Sequence, residues 1–215
     1  MISGENLDKK TSLSVTEYIR SKSGTGNLYE KLYRHMKDDE HREITLKEWD
    51  RKRNRGIELH QRIEKEIRDY MDGSIDSSFI HEFLKVKKYD MMFPEYRIQS
   101  SNGLVGRIDL LAIKDGLEII DWKSSKYIWY KSDMKMLSPY SELDDCNYNH
   151  ARLQLSLYKH ILEKDYGHIF PTKNISLKVI HIDEYSILEE IDIIPINIDL
   201  TMTSDIDEAI RNKNI

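Results

Sequence analysis

The chain has 215 residues, 39% of them hydrophobic and 33% charged, with a formal net charge of −5. That length suits one domain with a real core, and the acidic balance excludes a general polyanion-coating protein, so any nucleic-acid contact must come from local basic patches. No stretch approaches the ~18 apolar residues of a membrane span. The opening Met1-Ile-Ser-Gly-Glu-Asn-Leu-Asp8 lacks the apolar region of a secretory or transit peptide. A lone cysteine, Cys146, excludes an internal disulfide framework and any cysteine-based zinc or iron–sulfur site. An intracellular setting with no membrane association is the expectation.

In chain order, Ser14-Val-Thr-Glu17 has capping-box spacing and predicts a short first helix. Residues 21–27 have loop composition. A second capping box, Thr45-Leu-Lys-Glu48, precedes a helical pattern with Trp49, Arg53, Gly56, His60, Ile63, Ile67 and Tyr70 on one face, ended by Asp72-Gly73. Three strand-like runs between residues 83 and 123 are broken by Asn102-Gly103 and Asp115-Gly116. Residues 149–165 read as a helix stopped by Gly167 and Pro171. Ile175–Ile182 and Ile187–Ile194 read as strands, and a polar helix is expected from about Ser204. The order predicts an α+β, or mixed α/β, fold.

The chemically informative stretch is Gly106-Arg-Ile-Asp109 with Glu118-Ile-Ile-Asp121-Trp-Lys123. Alternation along a strand puts Asp121 and Lys123 on one face and Ile120 and Trp122 on the other. A two-residue Asp115-Gly116 turn would put Asp109 and Asp121 on opposite faces. A three-residue Lys114-Asp115-Gly116 loop, with its glycine left-handed, would pair them directly. A three-residue Ser101-Asn102-Gly103 loop would likewise set Glu95 opposite Asp109, giving a carboxylate row across three strands. Such a row needs a compensating cation, and Mg²⁺ or Mn²⁺ suits an oxygen-rich site with one imidazole. The same register opposes Arg97 to Arg107, which is unfavourable unless they meet phosphate or an acid.

From about Leu13 to Tyr166 the sequence resembles the RecB-like branch of PD-(D/E)XK nucleases. That branch includes recombination exonucleases, CRISPR-associated exonucleases and the mitochondrial genome maintenance exonuclease. The resemblance rests on five segments in order: Leu13-Ser-Val-Thr-Glu-Tyr-Ile19, Arg55-Gly-Ile-Glu-Leu-His60, Gly106-Arg-Ile-Asp109, Asp121-Trp-Lys123 and Gln154-Leu-Ser-Leu-Tyr158. It implies a restriction-endonuclease-like core, a central mixed β-sheet flanked by helices. The expected organisation is a single nuclease domain over 1–215, with a helical part in 1–75, a catalytic core in 80–170, and strands and a helix in 171–215.

The resemblance also implies roles. His60, Asp109, Asp121 and the Trp122 carbonyl would hold the metal, with Glu95 as a further carboxylate. Lys123 would orient or help deprotonate the attacking water, and Gln154 and Tyr158 would contact substrate. The iron–sulfur subgroup is excluded, and no Walker motif is present.

Each residue also has a plainer reading. His60 could be a core histidine, and Gln154 and Tyr158 could be buried polar groups. Arg53, in a run of Arg51, Lys52 and Arg55, could grip phosphates or be a solvated helix face. Lys126-Tyr-Ile-Trp-Tyr-Lys131 interleaves lysines with aromatics: Lys126, Tyr127 and Trp129 could hold a single strand, or the loop could cap the core. The expected activity is a metal-dependent deoxyribonuclease, an exonuclease on single-stranded DNA or DNA ends in replication, recombination or repair. Its partners would be DNA and replication or recombination proteins. The competing readings are a nuclease-fold binding module that no longer cuts and a docking platform.

Overall fold

The computed structural model describes residues 12–24, 36, 38–74 and 77–213. Strand β1 (Leu13–Ser14) runs into helix α1 (Val15–Ser21). The expected capping box starts that helix: the Ser14 hydroxyl accepts from the Glu17 amide at 3.1 Å, and the Glu17 carboxylate accepts from the Ser14 amide at 3.1 Å. Of the expected loop at 21–27, residues 25–27 lie outside the described residues.

Helix α2 (Asp39–Met71) starts earlier than the sequence pattern indicates, with Asp38 as its N-cap. Thr45 is therefore interior, not a cap. The extra turns carry no apolar stripe and are laced by local ion pairs, Arg42–Asp39 at 3.0 Å and Lys47–Glu43 at 2.7 Å. On the expected face, Ile63 and Ile67 are buried whereas Trp49 and Arg53 are more than a third exposed, so among the described residues the fully buried side chains of α2 all lie in its second half. Asp72 closes the helix and Gly73 follows at φ +82°.

A second correction falls on residues 83–87, which are helical. They end α3 (Phe79–Lys87), which buries Ile80, His81, Phe83 and Leu84. The i, i+3 and i+4 spacing of those residues outweighs the short alternation in Phe83–Lys87.

Strands β2 (Met91–Gln99), β3 (Leu104–Ile113) and β4 (Leu117–Lys123) form an antiparallel meander. Helix α4 (Asn147–Asp165) then crosses over to β5 (Ile175–Ile182), which is parallel to β4, and β6 (Ile187–Asp192) pairs antiparallel to β5. Helix α5 (Leu200–Lys213) closes the described chain. Among the described residues the sheet has six strands, in the order β1-β3-β4-β5-β6 with β2 also on β3. One face packs a core with α1, α4 and α5, including Tyr18, Leu155 and Ile206. The other packs Leu59, Ile63 and Ile67 of α2 and Phe83 of α3 against Leu110, Ile120, Trp122 and Ile180.

Both hairpins take the three-residue loops. Ser100 N–H donates to Leu104 O at 2.8 Å, and Gly103 sits at φ +98°. Ile113 pairs with Leu117 across Lys114-Asp115-Gly116. Gly116, however, is not left-handed as expected. Its glycine is required because a Cβ would lie 2.6 Å from the Asn174 carbonyl oxygen.

The meander is not a flat, alternating sheet. Leu110 and Ala112 belong to the α2–α3 core, while Leu104 and Ile108, an even number of residues away, belong to the opposite one. Strict alternation would keep all four on one face, so β3 turns over at Asp109. Strand β2 does the same between Met92 and Tyr96, where Glu95 adopts φ +54°. The β3–β4 ladder stops at Leu110↔Ile120; beyond it β3 pairs with β1 while β4 stays with β5. The two strands thus fork at Asp109 and Asp121.

Candidate metal centre

The fork is where the charged residues gather. Continuing each ladder by one step sets Glu95 against Asp109 and Asp109 against Asp121, the register that three-residue loops demand. Because the strands separate there, the backbone bond to β4 is replaced by a side chain: the Trp122 amide donates to Asp109 Oδ2 at 2.9 Å. A glutamate at φ +54° is an uncommon and costly backbone state, of the kind that persists where the surroundings over-determine it. Here it accompanies a carboxylate brought to the fork.

Helix α2 supplies the imidazole. His60 Nδ1 lies 3.4 Å from Asp109 Oδ2, and Ile63 and Ile67, one and two turns on, anchor that stretch of helix in the core. Gly56, one turn before His60, faces Ser124, whose Oγ would be 3.7 Å from a Cβ there. His60, Glu95 and Asp109 each offer a ligand atom, all within 4.8 Å of one another, close enough to hold a metal ion. Asp121 is buried beside this trio, and its Oδ2 lies 2.6 Å from Lys123 Nζ.

The electrostatics match a site built around a cation. Burial, then the neighbouring Asp121 carboxylate, push the Asp109 carboxyl well above the usual range. Burial also raises Glu95, despite Arg107, whose Nε lies 2.7 Å from its Oε2. That contact resolves the Arg97–Arg107 pairing: Arg107 meets an acid. Burial holds the His60 pKa down, leaving the neutral imidazole that a metal needs, and the Trp122 carbonyl accepts from its ring. Burial opposes the Lys123 charge, but Asp121 and Asp109 outweigh it and raise its pKa. Two carboxylates, one neutral imidazole and no thiolate form a donor set suited to a hard divalent ion.

A relay from α4 borders the site. Lys123 Nζ donates to Gln154 Oε1 at 3.4 Å, and Gln154 Nε2 donates to the Tyr158 hydroxyl at 3.0 Å. The Tyr158 ring lies against Gly106, where a Cβ would come within 2.4 Å of Tyr158 Cε1. Arg53 stands apart, two turns before His60, exposed and paired with Asp50 at 2.9 Å. Lys126, Tyr127 and Trp129 follow Lys123 on an exposed loop outside this cluster. Arg107 is the neighbour that sequence reading treated only as a register problem. Its position two residues before Asp109, on the same side of the strand, was the available signal.

A search of curated proteins finds no match. Among solved structures, one described as "Crystal structure of SSO0001" is 16% identical, with a TM-score of 0.44 over 98% of this chain and 80% of that one. A sequence profile described as PD-(D/E)XK nuclease superfamily matches residues 20–193, a span containing the whole fork and its bordering helices. The mixed sheet flanked by helices is the restriction-endonuclease-like architecture expected of that group. The chain belongs to the PD-(D/E)XK nuclease superfamily.

Proposed function

We propose that the protein hydrolyses phosphodiester bonds in DNA with Mg²⁺ or Mn²⁺, as an exonuclease of the RecB-like branch acting on single strands or ends. The observation that carries this reading is the convergence of His60, Glu95 and Asp109 beside the Asp121–Lys123 pair. His60, Glu95 and Asp109 would supply ligands, with Asp121 and the Trp122 carbonyl next to them. A divalent ion there would lower the pKa of a water and shield phosphate charge.

The chain's own groups do the rest. Lys123, kept charged by its two aspartates, orients the attacking water and offsets charge on the phosphate. Asp121 holds Lys123 in place, and Gln154 and Tyr158 fix its other side and border the scissile group. Arg53, two turns up α2, contacts the strand further out. Replication, recombination or repair supplies such substrates, with the protein partners of those processes, in an intracellular setting.

The test is cleavage of 5′- and 3′-labelled single- and double-stranded DNA with Mg²⁺, Mn²⁺ or EDTA, for wild type and Lys123→Ala. Metal-dependent cutting lost in the variant supports the reading, and the product ladder gives polarity. DNA binding without cutting under every metal would overturn it in favour of a binding module.

A further inference from the structure

Immediately beyond Lys123 the chain exposes aromatic side chains that the hydrolytic site does not use. Tyr127, Trp129 and Tyr130 are 52%, 62% and 47% exposed, although aromatics of this size usually bury most of their surface. The backbone under them is held firmly. Trp129 N–H donates to Asn147 Oδ1 at 2.7 Å, Asn147 Nδ2 donates to Tyr127 O at 2.8 Å, and Tyr148 N–H donates to Trp129 O at 3.3 Å. At the loop's start, the His181 ring bonds the Ser125 carbonyl at 2.7 Å, and Ile128 between the two outward rings packs on the core. The loop is thus pinned at both ends and in the middle, with its rings outward.

The rings also keep fixed relations to one another. Tyr127 and Trp129 meet edge to face at 5.5 Å, Lys126 Nζ sits 5.1 Å from the Tyr127 ring centre, and Tyr130 leans on Tyr148 at 4.7 Å. A loop that merely capped the core would turn these rings inward. We propose that Tyr127 and Trp129, with Lys126 and Lys131, form a base-stacking platform for single-stranded nucleic acid leading to the catalytic fork.

Two features select that occupant. The platform lies near the fork: Trp129 is six residues after Lys123, so by chain length within roughly 21 Å, and it is bonded to Asn147 at the start of α4, the helix that carries Gln154. Its lysines flank the rings in sequence, with Lys126 Nζ over the Tyr127 ring, and cations next to half-exposed aromatics suit a phosphate backbone with unpaired bases. A duplex hides those faces, so the platform selects single strands. This inference rests on the proposed action on nucleic acid, and binding without metal tests it apart from cleavage.

The experiment is fluorescence anisotropy of a labelled oligothymidine in EDTA, with an abasic strand of equal length as the charge-matched control. Trp129→Ala and Tyr127→Ala should each weaken oligothymidine binding roughly 5- to 150-fold, the range of one lost stacking contact. The abasic strand should bind all proteins alike, and Trp129→Phe should restore most of the loss. Equal oligothymidine binding by wild type and Trp129→Ala would overturn the proposal, as would an equal loss on the abasic strand. So would self-association of the wild type that Trp129→Ala abolishes, because the rings would then cover a second copy. If binding behaves as expected while no metal supports cutting, the platform stands and the hydrolytic reading falls.

Discussion

Replacing Gly106 by alanine tests how the fork is assembled. The added Cβ would lie 2.4 Å from Tyr158 Cε1, 3.1 Å from Cδ1 and 3.3 Å from Cζ. Ordinary carbon contacts begin near ~3.5 Å, so the ring or the strand must retreat by about 1 Å. Tyr158 is 3% exposed and sits in the core of α4, so there is no open space to take the ring. Overpacking of this kind costs about 1–3 kcal/mol. For a protein of this size that lowers Tm by about 2–12 °C.

The displacement also travels to the chemistry. The Tyr158 hydroxyl holds Gln154, and Gln154 holds Lys123, so a retreat of about 1 Å loosens the cation at the phosphate. Misplacement on that scale costs roughly 100-fold in rate. The assay is a double-mutant cycle, with thermal melts and DNA cleavage for Gly106→Ala, Tyr158→Ala and the pair. In the Tyr158→Ala background the glycine change should cost almost nothing, giving a coupling of about 1–3 kcal/mol. Equal losses in both backgrounds, or a Gly106→Ala protein that melts and cleaves like wild type, would refute the packing argument.

Two further outcomes follow from the charges. Because the folded protein raises the Asp109 pKa, ionising it disfavours the metal-free fold; its contribution is fully present below the unfolded pKa of about 4 and is lost as pH rises through the folded value. Asp109→Asn, which keeps an acceptor for the Trp122 amide, should therefore stabilise the metal-free protein increasingly as pH rises above about 4. Denaturant melts across pH that show a constant difference would contradict this. Mn²⁺ at 100 times its Kd should stabilise the wild type by about 2.7 kcal/mol. The same concentration should stabilise His60→Ala far less in melts without DNA, and equal stabilisation would remove His60 from the ligand set.

Much of the site was legible because local chemistry dictates it. The left-handed glycine of Ser101-Asn102-Gly103 selects a three-residue loop, and with the equally long Lys114-Asp115-Gly116 loop it brings Glu95, Asp109 and Asp121 level along the three strands, although neither ladder pairs them. The Ser14–Glu17 cap was likewise complete within four residues. Other elements were hidden because their causes lie elsewhere in the chain or in pairings without apolar periodicity. The first turns of α2 carry local ion pairs and no apolar periodicity, and Phe83–Lys87 reads as a strand until Ile80 and Leu84 find the sheet beneath them.

By itself, the sequence determined the residue types, their order along β2, β3 and β4, and the glycines that permit close approach. These are properties of neighbours within one hairpin or one helical turn. Only the tertiary structure decided which carboxylates converge. The strands turn over at Glu95 and Asp109 because opposite faces of the sheet are claimed by different helices. That turning joins Glu95 and Asp109 with His60 of α2 and leaves Asp121 paired with Lys123. The reversal comes from packing two cores on one twisted sheet, a long-range balance that the alternation of residues along a strand does not encode.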